Sequence, residues 1–276
     1  MLRTVSVAAM AKGQELVDAL ASTVQATTEI CGDLTTEQWS RPTGCPGWSV
    51  QDTVAHLGGL EAAIVSGVEP DHELVGDFPH VDGPMAEYME RHVDARRGRP
   101  AADVLKEFTD VFADRIAYLR ALPDAAYDEP APGPMGSMNP LGRMLMIRVF
   151  DLWAHEQDIR RAVGKPGGTD SPAADVSLTT CKRSVGPVVA GVVPDGATVV
   201  LHLDGAFGGD FAWSFDNGQA TALDAPPPQP TVSLTTDTET FAVLCCGRSD
   251  ARPHDVKVVG DAALGATVLA NLGFTP

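Results

Sequence analysis

The fold class that the sequence predicts is a bundle of four principal helices followed by a small mixed α+β domain. Three observations carry this expectation. Up to residue 163 apolar residues recur at helical spacing, in segments punctuated by Gly and Pro. The stretch GKPGGTDSP (164–172) then interrupts the pattern, and the composition changes after it. Beyond it, ATVVLHLD (197–204) and FAWSFD (211–216) alternate apolar and polar residues, as half-buried strands do. The first domain is accordingly placed at 1–165 and the second at 172–276.

Residues 5–32 are Ala-rich, proline-free and periodic, and predict the first helix. GCPGW (44–48) is a turn. In SVQD, which follows, Ser49 and Asp52 are spaced as a capping box for a helix running to Gly67. A looser stretch (68–83) precedes helical patterns at 84–97 and 101–121, separated by RGRP. The proline-rich segment 123–140 reads as a long loop, and the helix at 141–163 ends at Gly164 and Pro166. In the second domain a helix is expected at 172–190. The two strands follow it, then a proline-rich bridge (225–230) and a short strand, TVSL. A helix at 236–247, a strand at 256–260 and a helix at 261–271 complete the domain.

The bulk numbers exclude several function classes. The chain has 276 residues, 44% of them apolar, which is ordinary for a globular protein. A net charge of −17 and a pI near 4.6 disfavour nucleic acid and anionic membrane surfaces as partners. No apolar run has the length of a membrane span, and the start does not read as a secretory signal. Five cysteines, with no CxxC pair, argue against a disulfide framework and suit a reducing cytoplasm. Cys245 and Cys246 sit in an apolar helical run and read as core residues.

The chemistry concentrates in DLWAHEQDIR (151–160). At about 100° per residue, Met144, Ile147, Arg148, Asp151, His155, Asp158, Ile159 and Ala162 fall near one line along the helix. The middle of a stripe that should be buried is therefore ionisable, which costs several kcal/mol unless the charges are paired or ligate something. Asp151 and His155, at i and i+4, can reach one metal ion. The third ligand is assigned to His56 in VQDTVAHLGGL, whose neighbours Leu60 and Ala63 point it inward. Three ligands leave an open position, the arrangement of a catalytic zinc. Asp151 is equally able to pair with Arg148 or His155, and Asp52 is read as a cap. HEQDI lacks the second histidine of the HExxH zinc-protease motif, since Ile159 stands in its place. Cys45 is the one cysteine placed near the site, and Trp48 is either a lid over it or a staple for the helix start.

GCPGWSVQDTVAHLGGLE (44–61) together with RVFDLWAHEQDIRRAVG (148–164) resembles the mycothiol-dependent maleylpyruvate isomerase family, within the wider DinB-like metal-binding bundles. The tail LCCGRSDARPHDVKVVGDAALGATVLANL resembles that family's smaller C-terminal domain. The resemblance implies a DinB-like four-helix bundle that holds a divalent metal, typically zinc, through His56, Asp151 and His155. It also implies mycothiol as the thiol cofactor, and it maps the arginine of the family's glycine-arginine motif onto Arg248. One residue departs from the pattern. The isomerase has a glutamate where this chain has Asp151, and the shorter arm bears on the ion's position and affinity.

Three functions follow for testing. In the first, the metal stabilises the thiolate of a low-molecular-weight thiol, which attacks a small electrophile. Addition to a double bond, rotation and departure would isomerise it, and displacement of a leaving group would make a transferase. Arg248 would then grip a substrate carboxylate with its planar fork of donors. In the second, metal-bound water acts as a hydrolytic nucleophile. In the third, the bundle is a non-catalytic metal-binding or stress-response scaffold.

Overall fold

The computed structural model describes residues 13–275. The chain divides between Val176 and Ser177 into two compact units. The first holds α1 (Gln14–Gly32), α2 (Thr36–Trp39), α3 (Val50–Ser66), α4 (Pro84–Arg97), α5 (Ala101–Arg120) and α6 (Leu141–Val163). The part of the expected 5–32 helix before residue 13 lies outside the described residues. Helix α7 (Pro172–Val189) contains the dividing point. Among the described residues, no helix is long and apolar enough to cross a membrane.

The first unit is a bundle in which α1 packs on α5 and α6, and α3 packs on α4, α5 and α6. Helix α3 starts where the capping box predicts. Ser49 Oγ accepts from the Asp52 N–H at 3.2 Å, and the Asp52 carboxylate accepts from the Ser49 N–H at 2.9 Å. It stops at Gly67, whose left-handed backbone (φ 67°) lets its N–H reach the Ala63 carbonyl at 2.8 Å. Two glycines make α3 the centre of the bundle. A Cβ on Gly58 would lie 3.1 Å from the Phe108 Cα of α5, and one on Gly59 would lie 2.7 Å from Arg96 Nη1 of α4. Helical glycine costs about 1 kcal/mol relative to alanine, and here it permits close helix approach.

Helix α6 runs 23 residues, and its basic last turn, Arg160 and Arg161, complements the negative helix end. Its middle buries Arg148, His155 and Asp158 of the ionisable stripe seen in the sequence, with Asp151 half-buried, and buries Glu156 and Gln157 as well. Thr35 and Gln38 form a second capping box, which builds the short helix α2 that the periodicity did not reveal. The segment 123–140 is more ordered than the expected loop. Its strands β1 (Pro130–Pro132) and β2 (Met138–Pro140) pair antiparallel, because the prolines hold the backbone extended and the Gly133 N–H closes onto the Ser137 carbonyl at 2.8 Å.

In the second unit, β3 (Thr198–Asp204), β4 (Gly209–Asp216), β5 (Gln219–Leu223), β6 (Val232–Asp237) and β7 (Lys257–Gly260) form one sheet. Its order is β5-β4-β3-β6-β7, with β3 and β6 parallel and every other pair antiparallel. Strand β5 escaped the sequence reading because its polar and small residues lie at the sheet edge, where alternation is weak. Helices α8 (Thr238–Cys245) and α9 (Ala262–Ala270) pack on β6 and are N-capped by Asp237 and Asp261. Cys245 and Cys246 are buried, as expected of core residues. A helical first region followed by a mixed sheet is the fold class anticipated above.

Candidate metal centre

His56 projects from α3, and Asp151 and His155 project from successive turns of α6. The structure brings all three together. His56 Nε2 lies 3.5 Å from Asp151 Oδ2, and His155 Nε2 lies 3.4 Å from Asp151 Oδ1. Both imidazoles are buried, with ring centroids 5.0 Å apart, and the donor atoms of the trio lie within 4.8 Å of one another. These separations are long for hydrogen bonds, which fall at about 2.7–3.2 Å. Each histidine meets a different Asp151 oxygen, at a distance near the edge of a tetrahedron, about 3.3–3.4 Å, around an ion with bonds of about 2.0–2.1 Å. Two imidazole nitrogens and a carboxylate oxygen are also a zinc-type donor set, so the residues fit a divalent metal.

A buried frame holds two of the three donors, His155 and Asp151. His155 Nδ1 lies 3.0 Å from Asp158 Oδ2, the carboxylate–histidine contact that fixes the tautomer and turns Nε2 toward the other donors. Asp158 also accepts from Cys45 Sγ at 3.2 Å and from Arg161 Nη2 at 2.6 Å. Cys45, His155 and Asp158 form a second donor group, but their close contacts are hydrogen bonds, which makes them supports. Arg148 donates to Asp151, to the Leu57 carbonyl at 3.3 Å and to Glu61 Oε2 at 3.0 Å. Arg115 Nε lies 3.2 Å from the other Glu61 oxygen. A string of buried charges thus runs from α5 through α3 to the aspartate of α6. The Asp151–Arg148 pairing foreseen in the sequence is part of that string and leaves the carboxylate in reach of both histidines.

Trp48 stands over the rings, 4.9 Å from His56 and 5.8 Å from His155 between centroids. Its indole N–H donates to Glu90 Oε2 at 2.8 Å, and Glu90 is held in turn by His80 at 2.9 Å and Arg97 at 2.6 Å. Trp48 is therefore a wall of the site. Asp52 caps α3 and accepts from Arg97 Nε at 3.2 Å, a structural task.

The electrostatics favour a cation. Burial pushes the His56 ring below the ordinary histidine range, against the pull of Asp151. Burial would raise the Asp151 carboxyl, yet the charges of His56 and Arg148 hold it well below the usual carboxylate range. Burial also opposes charge on His155, but Cys45, Asp151 and Asp158 lift it well above its usual value. The carboxylates draw positive charge to this spot, as a proton or as a metal ion.

The family model described as the mycothiol maleylpyruvate isomerase N-terminal domain matches residues 20–160, a span that includes all three donors. The chain belongs to this family. Two solved structures share its fold: the mycothiol-dependent maleylpyruvate isomerase and a histidine-to-alanine mutant of it. Each has a TM-score of 0.55 and 17% identity, over 90% of this chain and 93% of that chain. No curated protein sequence matches.

In this member of the mycothiol maleylpyruvate isomerase family, Arg248 lies in the second unit just after α8, where its Nη1 donates to the Cys246 carbonyl at 3.1 Å. The sequence reading missed Glu61, Glu90, Arg115 and His92. Glu61 and Arg115 meet across two helices, Glu90 meets Trp48 and His80 from outside its helix, and His92 meets Glu69 from the loop before it, so short-range spacing does not announce them.

His92 of α4 is fully buried, and neither ring nitrogen has a hydrogen-bond partner among the described residues. It stacks on Tyr88 at 4.9 Å, and its Nε2 lies 3.4 Å from Glu69 Oε2. Burial, followed by the charges of His56, Arg96 and Arg148, pushes its pKa down to about 4. The unfolded ring takes a proton below about 6.5, while the folded ring resists until about 4. Protons then bind the unfolded chain first. Stability is fully present above about pH 6.5 and falls as the pH drops to 4, by at most about 3 kcal/mol. Urea denaturation at pH 7 and pH 4.5 should show a smaller loss in His92→Phe than in the wild type. Equal losses would show that His92 is not the cause.

Proposed function

We propose that this chain is a divalent-metal-dependent enzyme that uses a low-molecular-weight thiol, mycothiol, to isomerise, or transfer the thiol to, a small carboxylate-bearing electrophile. His56, Asp151 and His155 would hold zinc or another divalent metal, with a coordination position left for a ligand from solution. When bound, the metal supplies the positive charge that keeps a thiol sulfur as thiolate, its nucleophilic form. The observation that carries this reading is the convergence of three donors from two helices, with one ligand atom from each within 4.8 Å of the others. Family membership supplies the thiol and the reaction class.

The chain's own residues prepare the site. Asp158 fixes the His155 tautomer, Arg148 holds Asp151, and Trp48, anchored by Glu90, shields the rings from water. Arg248 is assigned to the substrate carboxylate, which its two-pronged guanidinium suits. Five free, buried cysteines support a reducing cytoplasmic setting.

The test follows maleylpyruvate conversion and free thiol in the metal-loaded protein, with and without mycothiol. Isomerisation that requires mycothiol and consumes none of it is the expected result. Turnover without any thiol would replace this reading with attack by water. Arg248→Ala should keep the metal content and lose about 10–100-fold in kcat/KM, the worth of a charge-assisted hydrogen bond. Unchanged kinetics would remove Arg248 from the mechanism.

A further inference from the structure

A cavity of about 580 Å³ lies within the first unit. Its walls include Ile64 and Val65 of α3, Arg115 and Tyr118 of α5, and Pro130 and Pro132 of β1. None of the three metal-site donors lines it. The volume is that of a small-molecule pocket, and the walls are mainly apolar, as in such pockets. Val65 and Tyr118 are 48% and 57% exposed, so large apolar side chains face solvent here.

Arg115 gives the cavity its chemistry. Its side chain is only 14% exposed, and its Nε faces Glu61 Oε1 at 3.2 Å. Its guanidinium lies 5.8 Å from the Tyr118 ring, which orients the fork. Among the described residues, no hydrogen-bond acceptor meets its terminal nitrogens. Glu61 meets it only on the Nε side, through one oxygen, while the other oxygen faces Arg148. A half-buried arginine with unused donors in an apolar hollow is built for an anion. Asp114 and Glu129, which are exposed and also line the cavity, repel any second negative charge.

The geometry points to a second ligand site, separate from the three metal donors, that takes a small monocarboxylate with an apolar body. The carboxylate sits on the Arg115 fork, and the apolar body lies against Ile64, Tyr118 and the two prolines. Dicarboxylates are turned away by Asp114 and Glu129. The site stands whether or not the donor trio carries a metal.

Titration calorimetry with benzoate, benzyl alcohol and isophthalate tests this. One benzoate per chain should bind, with the other two probes at least tenfold weaker. Arg115→Gln should weaken benzoate about tenfold or more, since it removes a charge-assisted bond. Ala131→Trp should abolish binding by filling the cavity while leaving the Arg115–Glu61 pair alone. His56→Ala should bind benzoate as the wild type does, because this site does not use the metal donors. Benzoate affinity that survives both Arg115→Gln and Ala131→Trp overturns the proposal. So does affinity lost in His56→Ala, which would put the carboxylate on the metal cluster. Failure of the metal reading shows separately, as wild-type protein without metal.

Discussion

His56→Ala or His155→Ala should take the chain from one bound divalent ion to nearly none while the helices stay folded. Each substitution removes one of three protein ligands and leaves two. Loss of a partner that merely orients a ligand typically costs 10–100-fold in metal affinity, and loss of a ligand costs more. The fold should tolerate the change, because each ring sits in a bundle whose core is built largely of apolar residues from α1, α3, α5 and α6. The measurement is metal content per chain after dialysis, beside the far-ultraviolet dichroism of each variant. Full occupancy in both variants would dismiss this ligand set. Asp151 is a less clean probe, because its removal also leaves Arg148 short of a partner.

Glu61→Ala should be strongly destabilising. Glu61 is 2% exposed and its two oxygens face two arginines, Arg148 and Arg115, whose side chains are 5% and 14% exposed. Removing the carboxylate leaves Arg115 without its counter-charge and Arg148 with Asp151 as its remaining carboxylate. Breaking a buried ion pair costs about 3–5 kcal/mol, because the remaining charge keeps its desolvation penalty without its partner. A two-state unit of this size loses about 2–4 °C of Tm per kcal/mol, so a drop on the order of 10 °C is expected. Glu61→Gln, which keeps the hydrogen-bond acceptor, should fall between the two. A Tm within a degree of the wild type for Glu61→Ala would mean that water reaches these charges. The same variants bear on the metal, because Arg148 is the clamp on Asp151.

Local features were legible wherever cause and effect lie a few residues apart. Ser49 and Asp52 announced the start of α3, Gly164 the end of α6, and the run of ionisable residues around Asp151 a polar stripe inside a helix. The candidate ligands were legible for the same reason, since i and i+4 spacing puts Asp151 and His155 on one side of α6. Strand β5 was not legible, because an edge strand of small and polar residues has little alternation to detect. The β1–β2 ladder was hidden by prolines, which read as a loop although they also hold a backbone extended.

Residue order alone thus carried the helices, their caps, the change of composition near residue 165 and the pairing of donors along α6. Those properties depend on torsions and on periods of a few residues. Folding decided which distant groups meet: His56 with Asp151 across two helices, one glutamate between two arginines, an indole over two imidazoles, and a hollow beside Arg115. Such contacts depend on how far apart helix axes lie and how the helices turn about them. Packing of the whole core sets those quantities, and no short window of sequence records them.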